Sequence, residues 1–296
     1  MSDIETKGGC INVLDSKSAP GNAGSAPASY MDTPAIATTN LTRSFGDLVA
    51  VQDVNLCVAS GQFFGFLGPN GAGKSTTIKM LTGLLAPTSG KIQILGLDFA
   101  EHTVEVKRQI GVVPEGLALF GRLTGAEYLT FVGRMYGLDR ETTAKRAAEL
   151  LEFMQLVDQP KKLVTDYSHG MQKKLALAAA VIHGPKILFL DEPFEGVDAI
   201  AAGTLKAMLQ RMIARGATIF LTSHVLEIVE RLCSHVAIID RGQLVAQGSL
   251  EELRTGVTAQ APAVVNPQSG GKLTLEEIFL RVVGGRSSEQ ELSWLG

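Results

Sequence analysis

The stretch Phe63-Phe64-Gly65-Phe66-Leu67-Gly68-Pro69-Asn70-Gly71-Ala72-Gly73-Lys74-Ser75-Thr76 decides how the rest of the chain is read. Its first residues form an apolar run that predicts a buried strand, and Thr76 to Leu81 has helix-forming character, so strand, glycine loop and helix start follow in order. From Gly68 to Ser75 the spacing is that of a phosphate-binding P-loop. Glycines at 68, 71 and 73 let backbone N–H groups converge on an anion with no Cβ in the way. Lys74 adds a mobile ammonium for the outer phosphates, Ser75 presents a hydroxyl suited to Mg²⁺, and the helix beginning there contributes its positive end. The bland alternative is a glycine-rich turn that binds nothing. It sits poorly with a motif in which every position is filled and both flanks are right.

The 296 residues suffice for one large domain or two ordinary ones, with a sizeable core. A formal net charge of −3 and a pI near 6.0 argue against a polyanion-binding surface, so nucleic acid is not an expected partner. Cys10, Cys57 and Cys233 lie far apart and form no CxxC pair or histidine cluster at metal spacing, which argues against zinc and against a disulfide framework and leads to the expectation of ordinary thiols in a reducing cytosol. No apolar run approaches the ~20 residues of a membrane-crossing helix. The acidic start Met1-Ser2-Asp3-Ile4-Glu5 lacks the features of a secretory signal. A cytoplasmic chain is therefore expected, with any membrane spanning left to another polypeptide.

Residues 1–33 include Ser18-Ala19-Pro20-Gly21-Asn22-Ala23-Gly24-Ser25-Ala26-Pro27, offer almost nothing to bury, and are expected to be a disordered extension. One domain is expected over 34–254, then a linker over 255–272 and a C-terminal helix and tail over 273–296. Ala35 to Thr38 and Val54 to Val58 alternate like half-buried strands. Between them Phe45 stands just before a turn, as a core residue or as a flat platform for a base. Further strands are expected at Lys91 to Gly96 and Ile110 to Pro114. Helical patterns then dominate over about 116–184, which reads as an inserted subdomain. Thr124-Gly125-Ala126-Glu127 has capping-box spacing, with Leu129, Val132, Met135 and Tyr136 following at helical intervals, and Thr274 to Glu277 repeats the box near the C-terminus.

Ile187-Leu188-Phe189-Leu190-Asp191-Glu192-Pro193 ends a continuous apolar run in two carboxylates. Such a run suits a strand covered on both faces, so the acids emerge at its carboxyl end, the edge where open parallel sheets hold ligands. Ala217 to His224 repeats the arrangement with a histidine, and Val236 to Asp240 reads as another strand. A lone histidine is more often structural. The matching strand-end position singles out His224 from His102, His169, His183 and His235. Ser168 and Gly170 open a helix with Leu175, Ala178, Ala179 and Ile182 on one face, a second potential anion site that is weak alone because capping serines are commonplace.

Over roughly Pro34 to Leu253 these motifs, in this order, resemble the ATP-binding subunits of ABC transporters: the loop Gly68 to Thr76, the signature Tyr167-Ser168-His169-Gly170-Met171-Gln172, the acid pair, Glu195-Gly196-Val197-Asp198 after it, and His224. The resemblance implies an α/β fold: a P-loop NTPase core with a mostly parallel sheet, N-terminal antiparallel strands and an inserted α-helical subdomain. It implies that Phe45 stacks on adenine and that Gly68, Pro69, Asn70, Gly71, Ala72, Gly73, Lys74, Ser75 and Thr76 surround the phosphates of ATP. Ser75 and Asp191 would support Mg²⁺, Glu192 would polarise the attacking water, and His224 would contact the γ-phosphate. Ser168, Gly170 and Gln172 match the segment that caps ATP on an opposite subunit, with Asp198 at the dimer seam. The implied partners are a second nucleotide-binding subunit, identical or paralogous, and an integral-membrane permease, at the cytoplasmic face of the membrane.

Tyr167, His169 and Met171 depart from the commonest signature and resemble export-type subunits with a separate permease. Glu115 stands where the family usually has a glutamine that reaches Mg²⁺. A carboxylate keeps the ligating oxygen, but it brings a charge toward the triphosphate, and two like unit charges ~6 Å apart at an effective dielectric of ~20 repel by ~3 kcal/mol. Two other readings compete. A soluble ABC-type ATPase working on ribosomes or DNA would be expected to carry a second nucleotide domain or a long coiled-coil insertion. An ATP-binding regulatory subunit with weak turnover would not need Glu192 and His224 intact.

Overall fold

The structure is a computed structural model that describes residues 33–157, 161–260 and 273–284. Most of the expected N-terminal extension, most of the expected linker and the C-terminal tail lie outside the described residues. The chain opens with β1 (Ile36–Phe45), β2 (Leu48–Val54) and β3 (Cys57–Val58). Then β4 (Phe63–Leu67) feeds the glycine loop and α1 (Lys74–Leu81). β5 (Ser89–Ile94), β6 (Leu97–Asp98), α2 (Thr103–Gln109) and β7 (Ile110–Val113) follow. The helices α3 (Gly125–Met135), α4 (Arg140–Phe153) and α5 (His169–Val181), with a short 3-10 turn at Val164–Asp166, stand before β8 (Ile187–Asp191). The remainder alternates as α6 (Ala199–Ala214), β9 (Thr218–Thr222), α7 (Leu226–Leu232), β10 (His235–Asp240), β11 (Gln243–Ser249), α8 (Leu250–Gln260) and α9 (Leu275–Val283).

The larger sheet has the order β11-β10-β4-β9-β8-β7, with every pairing parallel from β10 to β7 and β11 antiparallel at the edge. The smaller sheet, β2-β1-β5-β6 with β3 beside β1, is antiparallel. Every residue of β4, β8 and β9 is buried, as expected for strands covered on both faces. Alternate side chains divide between two cores. Phe64, Phe66, Phe189 and Phe220 face Ile36, Leu41, Val51 and Ile94 of the smaller sheet, while Leu67, Leu188, Leu190, Ile219 and Leu221 face the helices. Phe220 is the centre of the first layer, with ring centroids 5.7 Å from Phe64, 5.4 Å from Phe66 and 5.6 Å from Phe189.

Several elements differ from what the sequence suggested. β1 runs on to Phe45, which pairs with Leu48 across a hairpin turn. The expected strand over Val54 to Val58 is interrupted at Asn55 and Leu56, and only Cys57–Val58 rejoins β1; Cys57 is disulfide-bonded, against the expectation of ordinary thiols. Within the expected helical stretch, α4 is opened by the Asp139 carboxylate, which accepts from the Thr142 N–H at 2.8 Å. Helix α8 continues to Gln260, into the stretch read as linker. Both capping boxes form, at Thr124 with Glu127 and at Thr274 with Glu277. The second starts α9, which docks by burying Leu275 and Ile278 and by the Leu275 N–H donating to Glu230 at 3.3 Å.

His183 lies just past α5, stacked on Tyr136 with 3.7 Å between ring centroids, and its Nε2 donates to the Ile110 carbonyl at 3.0 Å. Burial holds its imidazole down at about 4, against some support from that carbonyl and with a further push from Arg146. The unfolded chain takes up a proton from about pH 6.5 downward that the folded chain refuses until about pH 4. Stability is therefore expected to fall as pH drops through that window. Denaturant midpoints near neutrality and near the lower end are expected to differ less in His183→Phe, which keeps the stack and cannot titrate.

Candidate functional site

β4 delivers Gly68 to the carboxyl edge of the larger sheet, where a Cβ would run into the Ile239 carbonyl of β10. Gly73 has φ +107°, and a Cβ there would lie 2.7 Å from the Ala50 carbonyl of β2. The loop thus passes between two backbones with room only for hydrogen. Ala72, buried, ties it down further, its carbonyl accepting from the Gly242 N–H at 2.9 Å. Asn70 and Gly71 form the exposed rim, with Pro69 and Thr76 half-buried on either side. Lys74 is buried, and its ammonium donates to the carbonyls of Gly68 at 2.7 Å and Pro69 at 3.2 Å. A positive charge is so held against the loop at the start of α1, the arrangement that receives phosphate groups.

Ser75 links this loop to the acid pair, its Oγ donating to Asp191 Oδ1 at 3.4 Å. The same carboxylate oxygen accepts from Thr222 Oγ1 at 2.6 Å, because parallel pairing of β8 and β9 sets Asp191 opposite Thr222. Thr222 Oγ1 in turn accepts from the Glu192 N–H at 3.1 Å. A hydroxyl beside a buried carboxylate is an oxygen donor set that fits a hard divalent cation.

Glu192 adopts φ +48°, a left-handed conformation that costs a non-glycine residue about 1–2 kcal/mol. Its side chain is buried, and Oε2 accepts from the His224 N–H at 3.3 Å and lies 3.0 Å from His224 Nδ1. The imidazole itself is half exposed at the same edge. Behind the acids, buried Lys173 of α5 donates to the Glu192 carbonyl at 3.0 Å. Burial pulls the Lys173 ammonium below its usual range, and the charges of Glu195, Glu115, Asp191 and Glu192 push it back.

Contacts thus join Ser75, Asp191, Glu192 and His224 beside the Lys74 loop. A second constellation lies at the start of α5. Ser168 caps that helix, its Oγ accepting from the Met171 N–H at 3.3 Å. Gly170 packs on the first turn of α6, with its Cβ position 3.6 Å from Asp198 Oδ2, and Asp198 caps α6 through the Ala201 N–H at 2.8 Å. Gln172 turns its amide toward the Val164 carbonyl at 3.5 Å. Glu115 is exposed just beyond β7, close enough for its charge to act on Lys173. Phe45 ends β1 and is 46% exposed, and the Arg43 guanidinium lies 4.6 Å from its ring centroid. Thr222 and Lys173 were missed in the sequence. Strand alignment of Asp191 with the residues before His224 was the available signal for Thr222, whereas Lys173 reads as an ordinary helix lysine.

A lysine-bearing glycine loop, a neighbouring hydroxyl and an acid pair on one edge of a parallel sheet define a P-loop nucleotide hydrolase. The family model described as ABC transporter matches residues 51–195. The linearmycin resistance ATP-binding protein LnrL of Bacillus subtilis (strain 168) is 38% identical over 214 residues, 72% of this chain and 69% of that protein. The Nod factor export ATP-binding protein I of Cupriavidus metallidurans is 39% identical, over 72% of this chain and 71% of its own. A solved ATP-binding subunit of an ABC transporter matches with a TM-score of 0.75 at 29% identity, covering 83% of this chain and 98% of that one. The chain belongs to the ABC transporter family, as an ATP-binding and ATP-hydrolysing subunit. Among the described residues no helix is long and apolar enough to cross a membrane.

Thr222→Val keeps the shape of a buried side chain but removes the donor to Asp191 and the acceptor for the Glu192 N–H. It is expected to cost about 1–3 kcal/mol of stability. ATPase activity should fall with it, and chemical denaturation alongside a phosphate-release assay measures both.

Proposed function

We propose that this chain energises an exporter whose membrane-spanning part is a separate permease, and that two such nucleotide-binding subunits close on ATP at the cytoplasmic face of the membrane. The observation that carries this reading is the Glu192–His224 pair, 3.0 Å apart on the sheet edge that also carries the Lys74 loop. Export is supported by the relatives named for resistance and for Nod factor export. A permease is supported by an exposed aromatic knot close after Glu115, where Phe120 meets Phe131 edge to face at 5.3 Å and Tyr128 stands beside them. Exposed apolar clusters of this kind suit a protein partner.

In this reading the loop amides and Lys74 balance charge on the phosphates, and the free face of Phe45 receives adenine while Arg43 backs the ring. Ser75, Asp191 and Glu115 would hold Mg²⁺, which when bound offsets the charge of the phosphate oxygens. Water attacks the γ-phosphorus as the bond to the ADP oxygen breaks and ADP leaves, Glu192 polarises that water and takes its proton, and His224 contacts the γ-phosphate. Ser168, Gly170 and Gln172 of one copy cap the nucleotide held by the other, with Asp198 at the seam. A site divided in this way stabilises the transition state only when closed.

Glu192→Gln is expected to lower turnover about 100-fold or more while ATP binding and ATP-dependent dimerisation persist. Phosphate release and sedimentation read the two effects. A wild-type chain with no turnover, alone or with a membrane protein that co-purifies with it, would instead favour a regulatory subunit. Glu115→Gln is expected to shift the Mg²⁺ dependence of hydrolysis. Identical activity across a Mg²⁺ titration would remove Glu115 from the metal site.

A further inference from the structure

Glu192 is held from two sides. Its N–H donates to β9, at 3.1 Å to Thr222 Oγ1 and 3.3 Å to the Thr222 carbonyl. Its own carbonyl accepts from Lys173 of α5 at 3.0 Å. The first contact fixes the peptide before the Cα and the second the peptide after it, so together they set both backbone dihedrals and hence the direction of the side chain. That matters because Glu192 sits at φ +48°, where a side-chain-bearing residue does not rest unaided.

Lys173 is built for this task. It is 2% exposed and lines a small cavity together with Val113, Leu177, Leu190 and Pro193. A buried ammonium is costly without partners. Here the Glu192 carbonyl accepts from it at 3.0 Å, and the negative charges of Glu195, Glu115, Asp191 and Glu192 act to keep it protonated. Its helix is also the one capped by Ser168, so a single rigid element joins the signature turn to the carbonyl of the acid.

We propose that Lys173 is a positioning residue for ATP hydrolysis: it clamps the Glu192 carbonyl, aims that carboxylate, and ties its aim to the helix that begins at Ser168. The proposal rests on the reading of Glu192 as the group that activates water. Movement of α5 as its first turn engages a nucleotide then carries the hydrolytic acid with it.

The test uses the full chain, with its membrane partner where turnover requires one. Lys173→Met keeps the stem and removes the donor, and Lys173→Arg keeps a charged donor. Lys173→Met is expected to lower kcat about tenfold or more with KM for ATP changed by less than about twofold, and Lys173→Arg to recover much of the loss. Wild-type kcat in Lys173→Met overturns the proposal. So does a loss of ATP affinity and kcat together in both variants, the pattern of a packing defect. Should Lys173→Met fail to fold, Lys173→Gln, a neutral donor, takes its place: kcat between wild type and Glu192→Gln at unchanged KM supports the clamp, and wild-type kcat sinks it. Glu192→Gln separates the two claims. Turnover surviving in Glu192→Gln removes the role of Glu192 itself, whereas turnover lost there but intact in Lys173→Met removes only the positioning role.

Discussion

Asp191 and Glu192 close a strand in which every residue is buried, and both carboxylates are themselves buried. Two adjacent acids in such a place repel each other and lose their hydration, a penalty of several kcal/mol per ion unless partners offset it. The surrounding structure supplies those partners from several neighbouring elements. Thr222 of β9 and Ser75 of α1 meet Asp191, His224 meets the Glu192 carboxylate, and the Lys173 ammonium lies behind both. In an extended strand successive side chains point to opposite faces. The positive φ of Glu192 breaks that alternation just as the strand ends, and allows one acid to address the loop and the other the histidine.

The glycine loop depends on the smaller sheet as much as on the larger one. A Cβ at Gly73 would meet the Ala50 carbonyl of β2, and Gly242 bridges Ala72 to Gln52 through backbone hydrogen bonds of 2.9 Å and 2.8 Å. The β1–β2 hairpin is therefore a wall of the loop, and it carries Phe45 on its turn. That explains why an antiparallel sheet, otherwise remote from parallel-strand chemistry, packs over the phenylalanine layer formed by Phe64, Phe66, Phe189 and Phe220. Packing of the aromatic core and placement of the nucleotide loop are one constraint.

The runs FFGFL and ILFLD announced buried parallel strands because no polar residue interrupts them until the acids, and the loop spacing announced a phosphate site. Thr124 and Thr274 announced helix starts through residues only a turn away. The extension of β1 through to Phe45 and the break after Val54 were hidden, since both depend on how β1 pairs with three different strands. Lys173 and Thr222 were hidden for a related reason. Their roles come from packing α5 beneath β8 and from the register of β8 on β9, contacts between positions well separated in the chain. Local pattern reaches elements and motifs, while the supports of a site belong to tertiary structure.

In the proposed mechanism the adjacent acids divide their labour, with Asp191 at the metal and Glu192 at the water. Mn²⁺ in place of Mg²⁺ makes the metal visible to electron paramagnetic resonance in the presence of ATP. Asp191→Asn is expected to weaken Mn²⁺ binding to the protein–ATP complex about tenfold or more, and Glu192→Gln to change it by less than about threefold. Equal losses in the two variants, or a larger loss in Glu192→Gln, would contradict that division.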